Sequence, residues 1–373
     1  MSETTDLLVI SSDSHVMEPA DLWLTRLDRS LRDQAPRVAK NEDKPGYSFV
    51  GPGITPHTIS GSWAAGKNGE ELKRHLEDAG YEAAHPGGWD PEARLDAQAT
   101  DGLAAEVLYT TLGAHIYRMR DANLQRACFA AFNDWLSEYC AHAPTRLHGI
   151  AMIPLWDVAT GVKELERSAR LGLKGGLVWA SPPVEQRYHS EIYDPLWAAA
   201  QDLRMPISIH IVSGMGEESR VDFSDAPMRY MNMIHEVQRS LSDIVLGGVL
   251  EKFPGLQIVA AECDTGWLPH FIQRMDRADS KFGAMIGNRL ALKPSEYIRR
   301  QVWATFLDDA IGAAYAPVYG EDNFMWGSDF PHSDSTFPHS REVIEKNLSG
   351  VPRAIARKIV FENAARLYGI DLG

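Results

Sequence analysis

The sequence is poor in cysteine, short of positive charge and free of long apolar runs, and each shortage removes a class of protein. Its three cysteines among 373 residues, Cys128, Cys140 and Cys263, are odd in number and widely spaced. That argues against a disulfide framework and against a thiolate zinc site; buried free thiols in a cytoplasmic protein are expected instead. A formal charge of −14 argues against holding nucleic acid by its phosphates. No apolar stretch is long enough to span a bilayer, so no membrane partner is expected. The first residues, Met1 to Asp6, lack a basic segment followed by an apolar one, so neither a secretory signal nor a transit peptide is expected. No glycine-rich fingerprint follows the first strand, which removes the dinucleotide fold. No Ser/His/Asp nucleophile elbow is recognisable either. What remains, 44% hydrophobic and 24% charged residues, is the composition of an ordinary globular protein.

Short β-rich runs alternate with longer helical patterns along the chain. Strands are expected at Leu7–Ser11, Ala105–Thr110, Leu147–Ile153, Gly176–Ala180, Pro206–Ile211, Leu256–Ala261, Val302–Phe306 and Phe324–Gly327. Helical patterns fill the gaps, as over Asn123–His142, Ala159–Leu171, Tyr193–Leu203 and Met228–Glu251, and two more close the chain at Arg341–Leu348 and Pro352–Tyr368. Alternation of continuous apolar strands with helices predicts an α/β fold, a parallel sheet covered on its outer face. Eight such units favour a closed (β/α)₈ TIM barrel, one domain over residues 1–373. Residues 17–90 break the rhythm: they hold no clear strand–helix unit and are rich in Pro, Gly, Trp and charge. They are expected to be an insertion after strand one that lies over the barrel mouth, as a lid or a subunit contact. A Gly/Ser/Asp-rich loop, Met215 to Pro227, is expected to border the same pocket.

The stretch that organises the rest is Asn323-Phe-Met-Trp-Gly-Ser-Asp-Phe-Pro-His332. Gly327 permits a sharp bend and Pro331 has no N–H with which to continue a ladder. Asp329 and His332 are therefore aimed out of a strand end into a rigid turn. In a parallel barrel, chemistry sits at the carboxyl ends of the strands, and those ends carry further donors. Asp13 and His15 follow strand one, two residues apart and so on one side; His210 ends strand five, and Glu262 follows strand six. Three carboxylates and three imidazoles are all ligand types for a divalent cation; four suffice for one ion, and six can hold two. Taken singly, Asp13 or Glu262 would be a helix N-cap, and His210 between Ile209 and Ile211 a core histidine. Taken together they reverse that judgement, because so many ionisable groups at one barrel mouth are costly without a cation. Lesser candidates are His115, His235, His57, His75 and His85. Arg118, Arg187 and Arg220 can clamp a substrate carboxylate, and Trp156, Trp179 and Trp267 can wall a pocket or simply pack.

Several of these motifs are also found together elsewhere. Ser12-Asp-Ser-His-Val-Met-Glu-Pro19, the His210 strand, Phe253-Pro-Gly-Leu256, Trp326-Gly-Ser-Asp-Phe-Pro-His332 and the closing Phe361-Glu-Asn-Ala-Ala-Arg-Leu-Tyr-Gly369 resemble the amidohydrolase-related (amidohydrolase 2) family. That family includes aminocarboxymuconate semialdehyde decarboxylase and γ-resorcylate decarboxylase. The resemblance spans the chain outside the insertion and implies a distorted (β/α)₈ barrel, a divalent metal, a small-molecule substrate and a homodimer or higher homo-oligomer. By position, Asp13 and His15 match the family's metal-binding pair, His210 its strand-five ligand and Asp329 its strand-eight carboxylate. Asp13 stands where many members have histidine, and Glu262 where the better-known decarboxylases have a catalytic histidine. The resemblance implies a metal-dependent hydrolase or non-oxidative decarboxylase acting on a small carboxylated cyclic or aromatic compound. Zinc or manganese would sit on Asp13, His15, His210 and Asp329, and Asp329 or Glu262, helped by His332, would move the proton. The alternative is a dinuclear non-haem iron oxygenase (Fe/Fe or Mn/Fe), with Glu262 bridging and His332 as a ligand. The third is an inactive barrel serving as partner of an active paralogue.

Overall fold

Strands in chain order are β1 (Ile10–His15), β2 (Arg37–Lys40), β3 (Tyr47–Gly51), β4 (Ile54–Thr58), β5 (Ala105–Tyr109), β6 (Leu147–Met152), β7 (Gly175–Val178), β8 (Ile207–His210), β9 (Ile258–Ala261), β10 (Val302–Phe306) and β11 (Phe324–Trp326). The computed structural model describes residues 6–42, 46–78, 83–216, 226–285 and 290–372. Eight of the strands form one sheet in the order β1-β5-β6-β7-β8-β9-β10-β11, with every pair parallel. Helices lie between successive members, among them Ala122–Ala141, Val158–Arg170, Asp194–Leu203 and Ala226–Leu246. This is the TIM barrel expected from the alternation. β8 (Ile-Ser-Ile-His) and β9 (Ile-Val-Ala-Ala) are buried along their whole length, as strands covered on both faces must be. Aspartates start several helices by accepting from free N–H groups, as Asp121 does from Asn123 and Leu124 and Asp157 from Thr160.

The seam between β1 and β11 closes the barrel without a regular ladder. Asp329 N donates to Asp13 O (2.9 Å) and His15 N to Phe330 O (2.7 Å). Hydroxyls fill in between: Ser12 Oγ donates to Trp326 O at 2.6 Å, and Ser14 Oγ meets Ser328 Oγ at 2.9 Å. These bonds let the polar run Ser-Ser-Asp-Ser-His continue β1 in a buried setting. The strand therefore runs three residues later at its start and four later at its end than Leu7–Ser11, with a bulge between Ser11 and Ser14. Gly327 serves this seam in a way the sequence did not suggest. A Cβ there would stand 2.6 Å from Asp13 Cβ, so glycine is required by close approach rather than by a bend.

Two further segments differ from expectation. The helical pattern over Met228–Glu251 is broken at Gly247-Gly248, where Gly248 takes φ 81°, and resumes as Val249–Lys252. Residues 17–90, in which no clear strand–helix unit was read, contain the antiparallel sheet β2-β3-β4 and the helices Leu22–Arg26 and Gly69–Asp78. β2 is Arg-Val-Ala-Lys, exposed at both ends, so its period-two signal was too weak to read. The segment touches the barrel through Met17 N to Gly88 O (2.9 Å), Trp23 Nε1 to Cys128 O (3.0 Å) and Ala65 N to Pro331 O (3.0 Å). All three cysteines are buried and free. Among the described residues no helix is long and apolar enough to cross a membrane.

Candidate metal centre

The six side chains singled out from strand ends converge. Asp13, His15, His210 and Glu262 place ligand atoms within 4.8 Å of one another, and His15, Glu262, Asp329 and His332 form a second such group that shares two members. Backbone geometry holds them in place. Glu262 and Asp329 take φ of 49° and 55°, a left-handed region that L-residues enter at a cost and that recurs at working sites. Phe330, next to Asp329, is wedged by the Arg94 guanidinium 4.7 Å from its ring centre and by Phe337 and His85. Arg94 is itself fixed by a buried bidentate pair with Glu106 (2.6 and 2.9 Å) and donates to the His15 carbonyl at 2.7 Å.

Hydrogen bonds on the outer side of the imidazoles decide what faces inward. His15 Nδ1 lies 2.8 Å from Thr110 O and His210 Nδ1 2.9 Å from Ile211 O. A carbonyl can only accept, so both Nδ1 atoms carry hydrogen, and in the neutral form of each ring the Nε2 lone pair turns to the centre. His15 Nε2 faces Glu262 Oε2 (3.2 Å), Asp329 Oδ1 (3.4 Å) and Asp13 Oδ1 (3.7 Å). His210 Nε2 faces the same Glu262 oxygen at 3.2 Å and Asp13 Oδ1 at 3.5 Å. Lone pairs confront carboxylates with nothing positive between them. Asp13 Oδ1, His210 Nε2 and both Asp329 oxygens are buried without a hydrogen-bond partner.

The titration behaviour expresses that conflict. Burial alone would depress His210, but the nearby Asp13 and Glu262 carboxylates outweigh it and hold the ring well above its ordinary value. Glu262 is opposed by burial yet pulled well below the carboxylate range by His15 and His210. Burial, then the charge of Glu262, pushes the Asp329 carboxyl well up. His332 is pushed down by burial and so stays neutral. It lies 2.7 Å from Asp329 Oδ1 through Nδ1 and 3.1 Å from Thr111 Oγ1 through Nε2. A proton on His210 is the compensation available to an ion-free site; a divalent cation is the alternative that the oxygen and nitrogen donors fit.

The sequence model of the amidohydrolase family matches residues 54–370. The chain belongs to that family. Among curated relatives, γ-resorcylate decarboxylase of Polaromonas sp. is 24% identical over 251 residues, covering 64% of this chain and 75% of its own. Among solved structures, an amidohydrolase of Mycobacterium avium subsp. paratuberculosis superposes with a TM-score of 0.79 at 21% identity, covering 99% of this chain and 100% of its own. The 5-carboxyvanillate decarboxylase of Novosphingobium aromaticivorans, solved with manganese and 4-hydroxy-3-methoxy-5-nitrobenzoic acid, gives a TM-score of 0.69 at 20% identity, covering 99% of each chain. These structures establish the shared barrel.

Other residues of this amidohydrolase were not visible as site components beforehand. Thr305 Oγ1 donates to Asp13 Oδ2 at 2.6 Å, and Glu262 N donates to the same oxygen at 2.8 Å. Thr305 stands at an inward position of β10, where strand alternation alone could have flagged it. A small cleft of about 90 Å³ opens beside Glu262, lined by Ile211, Tyr230, Ile234, Leu307 and Asp334 among others. Tyr230 Oη donates to Asp334 Oδ2 at 2.8 Å. Of the lesser candidates, His235 is exposed, and His85 caps Gly87 and packs on Phe330. Arg118 is committed to Gly214 O and Gly216 O, and Arg187 to Asp243. Arg220 lies outside the described residues. Trp156 and Trp179 pack on each other at 5.1 Å and Trp267 on Phe271 at 5.0 Å.

Proposed function

We propose that the protein is a divalent-metal-dependent, non-oxidative decarboxylase of aromatic carboxylates. One observation carries the metal: the Nε2 atoms of two buried imidazoles lie 3.2–3.7 Å from oxygens of three carboxylates, and Asp13 Oδ1, His210 Nε2 and both Asp329 oxygens have no hydrogen-bond partner among the described residues. Asp13, His15 and His210 would hold the ion with a carboxylate oxygen of Glu262, and Asp329 would border it. Manganese suits this donor set and is the ion bound by the carboxyvanillate decarboxylase on the same barrel. Bound there, it would supply Lewis acidity, drawing electron density from the substrate oxygens.

The chain's own residues supply the rest. Asp329 Oδ1 lies 2.7 Å from His332 Nδ1, so Oδ2 would carry the proton that the raised carboxyl retains. That proton passes to the ring carbon bearing the carboxylate. The carbon–carboxyl bond then breaks, its electron pair stays with the ring, and carbon dioxide leaves. His332 holds Asp329 in place, and a proton from solvent would restore the Asp329 carboxyl after each turnover. We assign residues 17–90 the part of a lid on a single-domain barrel, supported by the contact of Ala65 N with Pro331 O and of His85 with Phe330. Decarboxylase names among the relatives favour this chemistry over hydrolysis, and no relative named above supports the oxygenase alternative. The test is anaerobic incubation of manganese-loaded protein with a panel of hydroxybenzoates, including γ-resorcylate and 5-carboxyvanillate. Equal release of carbon dioxide and the matching phenol, abolished by chelator, is expected. Turnover that requires dioxygen, or no carbon dioxide from any of them, would contradict the proposal.

A further inference from the structure

Glu18 lies three residues beyond His15 and is completely buried. Its carboxylate accepts from four donors, and all of them belong to the four residues that follow β5. Thr110 Oγ1, Thr111 N (3.2 Å) and Gly113 N (3.1 Å) reach Oε1, and Leu112 N (2.9 Å) reaches Oε2. The same short loop supplies the outer partner of both imidazoles in the second ligand group. Thr110 O accepts from His15 Nδ1, and Thr111 Oγ1 meets His332 Nε2. One buried anion thus sets the shape of the loop that orients two rings arriving from opposite ends of the chain.

The loop is wound too tightly to hold that shape by chance. A Cβ at Gly113 would stand 2.2 Å from Thr110 Oγ1 and 2.6 Å from Met152 Sδ, so glycine is the residue that fits. Burying a carboxylate costs several kcal/mol unless it is fully bonded, and these charge-assisted bonds offset that cost only while the loop keeps its form. Thr110 O then fixes His15 as the Nδ1–H tautomer, baring Nε2 to the centre. Thr111 Oγ1 meets His332 Nε2 at 3.1 Å; as a donor it leaves the Nδ1–H of that ring facing Asp329 Oδ1, 2.7 Å away.

We propose that Glu18 is the positioning residue of the site: through the Thr110–Gly113 loop it locks the tautomer and orientation of His15 and His332 together. The inference rests on the proposed function for what those two rings do, but not for how they are held. The experiment is ¹⁵N-histidine NMR of the ion-free full chain, with signals assigned by single histidine substitutions. In Glu18→Gln an amide NH₂ meets backbone N–H groups, so the loop must rearrange. The ring signals of His15 and His332 should both move, while those of His148 and His189, held by Thr145 and Asp243, stay in place. Thr111→Val removes only the second arm and should move His332 alone. Manganese affinity should also fall by about 10–100-fold in Glu18→Gln, as for other outer partners of ligating histidines. Unmoved His15 and His332 signals in Glu18→Gln, with a lowered melting temperature, would reduce Glu18 to a structural cap and overturn the proposal. If Glu18→Gln does not fold, Thr110→Val removes one donor and keeps the carbonyl; unmoved rings in that variant overturn it equally. Wild-type protein that takes up no manganese would sink the proposed function, while the ring signals would still decide the positioning.

Discussion

Asp13→Asn removes one negative charge from the centre and leaves its shape alone. Asp13 Oδ2 accepts from Glu262 N and Thr305 Oγ1, so the amide oxygen of asparagine must take that side. Its NH₂ then replaces Oδ1, which faces His210 Nε2 at 3.5 Å and His15 Nε2 at 3.7 Å. An anionic ligand is exchanged for two N–H donors aimed at two imidazole lone pairs. Without an ion the variant loses one of the two carboxylates that hold a proton on His210, so the ion-free melting temperatures of the two proteins set the baseline. An ion then separates them. At free manganese 100 times its Kd, linkage stabilises the wild type by about 2.7 kcal/mol. A chain of 373 residues unfolds with an entropy of about 0.8 kcal/mol per K, so this is a rise of about 3–4 °C in Tm. A variant that binds a hundredfold more weakly gains about 0.4 kcal/mol at the same concentration, or about 0.5 °C. Scanning calorimetry of both proteins with and without manganese makes the comparison. Equal rises would refute the placement of Asp13 at the ion.

Three more predictions follow from other parts of the structure. Asp329→Asn should lower kcat about 10²–10⁴-fold through loss of the proton at Oδ2; a rate within threefold of wild type in a decarboxylation assay would exclude that role. Arg94→Met leaves the Glu106 carboxylate buried without its bidentate partner, a loss of about 3–5 kcal/mol or about 4–6 °C in Tm. Arg94→Met/Glu106→Leu should recover most of that loss, and a single variant that melts with the wild type would contradict it. His148 is buried in β6 with its pKa pushed down to about 4 by burial, against about 6.5 in the unfolded chain. Its folded pKa is depressed, so the stability it contributes is full above about pH 6.5 and falls by up to about 3 kcal/mol as the pH drops towards 4. His148→Gln should flatten that acid limb in urea titrations at pH 7 and 4.5, and an unchanged limb would show that other groups dominate it.

The barrel was legible because its strands are covered on both faces, and continuous apolar runs such as Ile-Val-Ala-Ala at β9 leave little choice of structure. The candidate donors were legible because a parallel barrel puts strand ends at one rim, so topology alone brings His210 and Asp329 near each other. What escaped was local. β1 hides in Ser-Ser-Asp-Ser-His, whose hydroxyls are satisfied across the β1–β11 seam by partners more than 300 residues away, and no periodicity records such pairing. Gly327 was assigned to a bend although close packing on Asp13 requires it. Thr110 and Thr111 carry no motif in this sequence, and Glu18 lies within Ser12–Pro19 without a sign of its role, because what matters is the carbonyl and the hydroxyl that the loop around Glu18 presents to His15 and His332. The β2-β3-β4 sheet was missed because it packs outside the barrel core, where the hydrophobic pattern is weakest.

The most direct measurement is a crystal structure of the protein soaked in manganese, with diffraction data collected at the manganese absorption edge. An anomalous peak within coordination distance of Asp13, His15 and His210, bordered by Glu262 and Asp329, is the predicted result. A map with no peak inside that ring of side chains, from protein that releases carbon dioxide from an aromatic carboxylate, would contradict the account at its centre.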